Sequence, residues 1–371
     1  MAEFLVRRNL QRVFAGAQAS ISASVLINRT PAWLQGQPSL AWLELPNTPM
    51  SAAMSSYPSP GGTKAFICSY SGACNSDSEI FVVAGGGHAD YAGNEGLRFN
   101  ALADVPVWAL MRAPTSSVPG TIGPGSAYYS DGRPASRHTG WHTQFIKARN
   151  RAFLFGSYAL WGNGNGAAAN VDAFSIATND YDAAGTYPNV PFIDNNPIGV
   201  AKHPVTEDVW LQSTGGTLVR WNQSSNTFTN FGSKSVYNIR TPYCIDPVRG
   251  RLVRFDASLG ARFDLTSAAE TAVTFTGLTA GIDRSCTVVW CPDRGADGTF
   301  LSFRWSDGAV FECNPVTFNV TQLSIGGVTP PAPGPTAGEA QLFGRFGYLP
   351  AIKTCFYIRS ASDNVFVFKV A

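Results

Sequence analysis

Short apolar stretches separated by tight polar turns recur along the chain from about residue 144 onward. The recurring unit starts with an apolar strand, a turn and a second apolar strand. It is found at Gln144–Phe155, Gly199–Gln212, Tyr243–Phe255, Val288–Phe303 and Gly347–Arg359. Prolines lie in three of the turns, at Pro204, Pro247 and Pro292, which are 43 and 45 residues apart. Proline favours such a turn because it presets φ and cannot donate to a strand ladder. The pattern predicts hairpins at a nearly constant spacing.

Each hairpin is followed by a second pair of apolar–polar alternating stretches. A four-stranded unit that recurs every 40–50 residues is typical of a β-propeller blade. Residues Ala65–Pro114 fit an earlier blade, with strands at Glu79–Ala84 and Leu97–Asn100. We therefore predict an all-β fold, a β-propeller of about six four-stranded blades, with seven as the alternative count. A sandwich of similar hairpins is the alternative fold, but it would not require a constant spacing.

The two ends of the chain predict how the ring of blades closes. After the last hairpin, Val365–Val370 supplies only a third strand before the chain stops, whereas Ser39–Leu45 near the start alternates like an outer strand. Pairing these two segments would remove exposed sheet edges. We expect this closure, with residues 1–35 as an N-terminal arm or tether and residues 36–371 as the propeller.

Composition excludes several classes of protein. Hydrophobic residues make up 44% and charged residues 14%, which excludes a disordered chain. The net charge of +2 gives no case for nucleic acid as a partner. The chain has no apolar run long enough for a transmembrane helix, and its first residues lack the apolar stretch of a signal peptide.

Seven cysteines without a CxxC pair favour buried thiols, although Cys68 and Cys74 could form a disulfide.

A glycine-rich motif carries a resemblance to a known family. The segment Glu79–Glu95 (EIFVVAGGGHADYAGNE), the later Trp108 and the run Ser136–Gly140 (SRHTG) resemble the blades of kelch-type propellers, which include the central domain of galactose oxidase. The resemblance covers roughly residues 38–371, with motifs only in the first two blades. It implies a propeller, and functions from protein docking to carbohydrate binding. The chain also resembles phage-encoded kelch-like virion proteins, which implies a place on the virion after synthesis in the host cytoplasm.

Histidine is scarce, and two of the four histidines lie near candidate partners. His88 lies in the glycine-rich segment beside Asp90, and His138 precedes a strand whose hairpin partner ends near Tyr158. If these side chains meet at the channel mouth, His88, His138 and Tyr158 become candidate catalytic residues, and Asp90 a ligand-binding carboxylate. Some propeller polysaccharide lyases use histidine, tyrosine and arginine in this way. The alternative is that the same side chains hydrogen-bond backbone between blades.

Arginines near the start of the inner strands form a second candidate group. They are Arg137, Arg240, Arg284 and Arg345. If they converge at the channel mouth, they would bind an anionic ligand such as an acidic glycan. The alternative is that each arginine contacts backbone carbonyls and structural carboxylates. Trp161, beside the loop Gly162–Gly166, is a candidate for stacking on sugar rings.

We predict neither a metal site nor a cofactor. His138 and His142 are four residues apart, which on a strand separates them by about 13 Å, and no converging ligand set is visible.

The N-terminal segment Ala2–Ala15 alternates with a helical period, with Arg7, Arg8 and Arg12 on its polar side. We expect it to dock on a partner in a larger assembly. A weak membrane-surface contact and a helix packed beneath the propeller are the alternatives.

These observations favour a non-enzymatic recognition protein of a phage-like virion, which binds host-surface carbohydrate or another virion subunit. The alternative is a polysaccharide lyase or glycoside hydrolase acting on an acidic glycan at the channel mouth. A purely structural virion component is a third hypothesis, and it requires no ligand.

Overall fold

The computed structural model describes residues 30–54, 65–88, 90–116, 127–162, 167–194, 199–235, 241–283, 286–304, 306–332 and 342–371. The predicted N-terminal helix, Arg240 and Arg284 lie outside these residues. The compact unit spans Pro31–Ala371, and Leu34 is already buried in it.

Six sheets, each with four antiparallel strands, form the blades of a propeller, and in four of these sheets the strands follow chain order. Blade 1 contains β2 (Cys74–Asn75), β3 (Glu79–Val83), β4 (Gly96–Asn100) and β5 (Trp108–Arg112). Blade 2 contains β6 (Thr143–Ile146), β7 (Arg151–Tyr158), β8 (Ala167–Ser175) and β9 (Asp180–Tyr181). Blade 3 contains β10 (Gly199–Lys202), β11 (Val209–Gln212), β12 (Thr217–Asn222) and β13 (Thr227–Ser233). Blade 4 contains β14 (Tyr243–Asp246), β15 (Arg251–Asp256), β16 (Leu259–Asp264) and β17 (Glu270–Thr274).

The last two blades each carry a short fifth strand. Blade 5 contains β19 (Thr287–Cys291), β20 (Thr299–Phe303), β21 (Val310–Cys313) and β22 (Asn319–Gln322), with β18 (Thr276–Gly277) parallel to β22. Blade 6 contains β24 (Phe346–Leu349), β25 (Thr354–Ile358), β26 (Val365–Lys369) and β1 (Ala41–Leu45), with β23 (Gly326–Gly327) parallel to β1. The described helices are one α-turn, Ala65–Cys68, and 3-10 turns at Ala32–Leu34, Met50–Ala52, Lys147–Arg149, Thr279–Gly281 and Phe343–Arg345.

The predicted closure is confirmed. Strand β1 pairs antiparallel with β26 along its whole length, from Ala41 opposite Lys369 to Leu45 opposite Val365. The first described strand thus completes the last blade, and six four-stranded blades account for the described chain. All seven cysteines are among the described residues and are buried without a disulfide, so the alternative bridge between Cys68 and Cys74 is wrong.

The core lies between neighbouring blades, because both faces of each sheet are covered. Between blades 2 and 3, for example, the Trp221 ring lies 4.9 Å from Phe153 and 5.2 Å from Phe155, measured between ring centroids. The middle strands are therefore buried on successive residues, as in β3, whereas the outermost strand β13 is largely exposed. The helices among the described residues are single short turns, and none of them could span a membrane.

Two faces of the propeller can be distinguished by the inner strands β2, β6, β10, β14, β19 and β24, which surround the axis. We call the side on which these strands begin the entry face. The side on which each inner strand turns back into the second strand of its blade is the turn face.

The closure predicts that Trp42 in β1 is a main determinant of stability. Its side chain is fully buried, and its ring contacts Phe303 of blade 5 and Phe368 of β26 at centroid distances of 5.2 Å. Trp42→Ala should lower the free energy of unfolding by about 3–5 kcal/mol, the usual loss for a buried tryptophan. Urea unfolding followed by circular dichroism measures this. Trp33→Ala, which removes a partly buried tryptophan outside β1, is the control, and equal losses in the two variants would contradict the prediction.

Candidate functional site

Three consecutive glycines shape the loop that leaves β3 on the entry face. A Cβ on Gly85 would collide with the carbonyl oxygen of Phe66, and a Cβ on Gly87 would collide with the backbone of Arg137 and Ala159. Gly86 and Gly87 also have φ values of +101° and +70°, which side chains rarely allow. Glycine is therefore required for this loop of blade 1 to pack directly on the backbone of blade 2.

Hydrogen bonds hold the same loop against blade 2. The backbone N–H of His88 donates to the carbonyl of Ala159 at 2.7 Å, and the N–H of Gly162 donates to the carbonyl of His88 at 3.0 Å. The hydroxyl of Ser136 accepts from the N–H of Gly87 at 2.7 Å. Between these bonds His88 adopts a φ of +49°, an uncommon conformation for a residue other than glycine. Such local strain persists only where surrounding contacts enforce it, and it concentrates at functional sites.

The loop brings His88 to a cluster that we call the histidine–tyrosine site, made of Tyr70, His88, Asp90, His138 and Tyr158. The ring of His138 lies 6.0 Å from the ring of His88, 5.3 Å from Tyr158 and 4.9 Å from Tyr70, all between centroids. The Nε2 atom of His138 lies 3.3 Å from the Oδ2 atom of Asp90. The sequence-based candidates His88, Asp90, His138 and Tyr158 thus meet at one place on the entry face.

The site has a buried floor and a partly exposed rim. His138 and Tyr158 are 7% and 3% exposed, whereas the side chain of Asp90 is 33% exposed. Tyr70 and His88 are also partly exposed. An external molecule can therefore reach a carboxylate, an imidazole and a phenol ring of blade 1, which lie over the buried His138 and Tyr158 of blade 2.

Backbone pairing within blade 2 holds the floor of the site together. A residue before β6 and the last residue of β7 form a bridge, in which the N–H of His138 donates to the carbonyl of Tyr158 at 3.3 Å. Asp90 is placed to orient the His138 imidazole by its contact with Nε2. The set combines hydrogen-bond donors and acceptors with two imidazoles, so it suits hydroxyl-rich ligands or proton transfer.

Tyr70 is the member of the site that the sequence analysis missed. It precedes β2, and its ring stacks at a tilt of 32° on His138. Its φ of +47° and its carbonyl, which accepts from the N–H of Gly140 at 2.9 Å, join the start of blade 1 to blade 2. A lone tyrosine between small residues has no pattern that would mark it in the sequence.

Arg137 and Arg345 are buried within the protein. Arg137 is 1% exposed and donates to the carboxylate of Asp172 at 3.0 Å and to the carbonyl of Ala135 at 3.0 Å. Arg345 is fully buried and donates to the carbonyl of Arg359 at 2.6 Å. These contacts match the alternative of arginines that bind backbone carbonyls and structural carboxylates. The predicted ring of arginines stays a prediction, since Arg240 and Arg284 lie outside the described residues.

Trp161 lies largely inside the protein rather than on its surface. It is 8% exposed and packs in a small cluster with Ala92, Tyr129 and Leu160. Its indole N–H has no hydrogen-bond acceptor among the described residues. As placed, the ring offers little flat surface for stacking on a sugar, so the predicted ligand contact would require a rearrangement.

Two buried titratable groups flank the site. Burial lowers the pKa of His142 to about 4, and its Nδ1 lies 2.8 Å from the carbonyl oxygen of Phe155. Burial raises the pKa of Glu95 to about 7, and its carboxylate accepts a hydrogen bond from the hydroxyl of Tyr91. Neither is exposed, so both act on the fold that supports the site. Among the described residues, no group of three His, Cys, Asp or Glu side chains is placed to hold a metal ion.

Comparison of the chain with models of known families and with curated proteins gave no match. The kelch-type and phage-like resemblances therefore stay predictions, and the function has to be argued from the geometry of the site.

The buried His142 predicts a loss of stability in acid. Because its pKa in the folded protein lies near 4, below its ordinary value of 6.5, the unfolded chain binds the extra proton as the pH falls through this window. The contribution of neutral His142 to the free energy of unfolding is fully present above about pH 6.5. About 2–3 kcal/mol of this contribution should be lost by pH 4.5. His142→Asn keeps a side-chain amide for the Phe155 carbonyl but does not titrate.

The measurement is the free energy of urea unfolding for both proteins between pH 7 and pH 4.5. Glu95 acts in the opposite direction, because its raised pKa stabilises the folded state towards low pH. Glu95 is present in both proteins, so its effect cancels in the difference between their free energies of unfolding. Parallel pH profiles for wild type and His142→Asn would contradict the prediction.

Proposed function

We propose that this protein is a recognition module that binds carbohydrate at the histidine–tyrosine site. The observation that carries the proposal is the convergence of His88, Asp90 and His138 with two tyrosine rings on one partly exposed patch of the entry face. The residues come from two blades and from segments far apart in the chain. The strained and hydrogen-bonded loop after β3 holds His88 against blade 2.

The chemistry of this patch fits sugar hydroxyls. A carboxylate accepts hydrogen bonds from hydroxyl groups, and an imidazole can both donate and accept. A tyrosine ring supplies an apolar surface with a polar edge, as ligands with both C–H faces and hydroxyls require. Asp90 with 33% of its side chain exposed, and the partly exposed His88 and Tyr70, are the groups that would touch the ligand first.

The sequence resemblance supports a further part of the proposal, that the protein belongs to a phage-like virion. In that setting the glycan would be one on the host surface, and the N-terminal segment would dock on another virion subunit. This part depends on the resemblance alone.

A second candidate function is catalysis on an acidic glycan, as a polysaccharide lyase or hydrolase. The observation that favours it is the 3.3 Å contact between Asp90 and His138, next to Tyr158, because an oriented imidazole beside a phenol can transfer protons. A lyase also needs a cation to neutralise the uronate carboxylate. Arg137, the nearest candidate in sequence, is instead engaged with Asp172, and we therefore rank binding first.

The test incubates the purified protein with surface polysaccharides of candidate host bacteria and follows co-elution and polymer size together by size-exclusion chromatography. Wild type should co-elute with one polysaccharide without shortening it. His88→Ala should weaken binding by about tenfold or more, since it removes a hydrogen-bonding group worth about 1–2 kcal/mol. His203→Asn is the matched control, because His203 caps a turn on the opposite face through its Nδ1 atom.

Each outcome separates the hypotheses. Shortened polymer that is lost in His138→Gln would replace binding by catalysis. Co-elution that is equal for wild type and His88→Ala would place the glycan elsewhere. Absence of both effects across the panel would leave the structural role, which deletion of residues 2–15 would test through assembly.

A further inference from the structure

The six inner strands enclose an axial cavity of about 830 Å³. This volume is in the range of small-molecule sites, which are mostly apolar with a few polar groups. Apolar and aromatic residues from all six blades line it, including Phe145, Ile245, Val288, Trp290 and Tyr348. The cavity is separate from the histidine–tyrosine site, of which no member lines it.

The cavity opens towards the turn face. Its lining continues to the hairpin turns, where Val205 and Val248 are 74% and 58% exposed. At its entry-face end the lining includes Trp141, Phe343 and Gly344. There Phe343 is fully buried against Trp141, with a centroid distance of 4.9 Å, and Gly344 abuts the backbone of Ala73.

Two lysines, Lys147 and Lys202, line this largely apolar cavity. Lys202, the last residue of β10, is partly buried and its Nζ donates to the carbonyl of Phe145 at 2.7 Å. An ammonium group has three N–H donors, and the other two find no acceptor among the described residues. Burial lowers the pKa of Lys202, which reflects the poor solvation of its charge.

The two carboxylates that act electrostatically on Lys202, those of Glu207 and Asp77, also contact other groups. Asp77 forms an ion pair with Lys147 at the mouth of the cavity. Glu207 accepts hydrogen bonds from the backbone N–H groups of Lys147 and Ala148 at 2.8 and 2.7 Å. No carboxylate of the described chain lies within ion-pair distance of Lys202. A partly desolvated cation with spare donors favours an external anion.

We propose that the axial cavity binds a small monoanion with an apolar body, whose anionic group contacts Lys202 while its body lies against the aromatic lining. This is a second ligand site, at the opposite face from the carbohydrate site and with different chemistry. It does not depend on the proposed function.

The test uses two fluorescent probes of the same shape, the anionic 8-anilinonaphthalene-1-sulfonate and its uncharged parent N-phenyl-1-naphthylamine. Wild type should bind both with saturation at one equivalent. Lys202→Met, which keeps an unbranched apolar side chain, should weaken binding of the sulfonate by about tenfold or more and leave binding of the neutral probe within about twofold. The measurement is a fluorescence titration at pH 7.

Two further variants keep the result decisive. Lys202→Arg retains the charge and should retain sulfonate binding, which distinguishes loss of charge from damage to the cavity. Lys234→Met removes a lysine that does not line the cavity and should change neither probe. Unchanged sulfonate affinity in Lys202→Met would overturn the proposal. So would an equal loss of both probes in Lys202→Met and Lys202→Arg.

Discussion

The ring of blades depends on one pairing, that of β1 with β26. The two strands are more than 300 residues apart in the chain, and their antiparallel register runs over all five residues of each strand. A propeller left open at this point would expose two sheet edges and the aromatic surface around Trp42. Closure places blade 6 between blades 5 and 1, and thereby sets the positions of the six inner strands that surround the axial cavity. Both candidate sites require this arrangement, since each is built from more than one blade.

Close approach between neighbouring blades is what builds the histidine–tyrosine site. Glycines 85–87 allow the loop of blade 1 to touch the backbone of blade 2, and two backbone hydrogen bonds then hold His88 at a positive φ beside His138. Larger residues at these positions would push the two blades apart and would thereby also increase the distance between the two imidazoles. The same residues that permit tight packing therefore also determine the geometry of the site, which explains why strain and candidate chemistry occur at the same place.

Burial decides which polar residues can meet a ligand. Arg137 donates to Asp172 and Arg345 donates to the carbonyl of Arg359, so both guanidinium groups are engaged inside the protein, and burial lowers the pKa of His142 to about 4. Asp90, His88 and Lys202 differ because part of each side chain faces solvent or a cavity. The two faces of the propeller consequently offer different chemistry, with hydroxyl-compatible groups on the entry face and Lys202 in a largely apolar cavity that opens on the turn face.

The sequence by itself determined the fold class and the closure and predicted about six blades with seven as the alternative, because hairpins are local and their apolar period of two is visible at a nearly constant spacing. It also identified four members of the histidine–tyrosine site, since histidine is rare and lies near glycine and carboxylate residues. Only the tertiary structure decided that Tyr70 joins them, that Arg137 pairs with Asp172, and that Lys202 lines the cavity. An alternating pattern indicates which side of a strand is buried. It does not indicate whether that side packs against a neighbouring blade or faces the axial cavity. That distinction arises from contacts between blades, which are set by packing far along the chain.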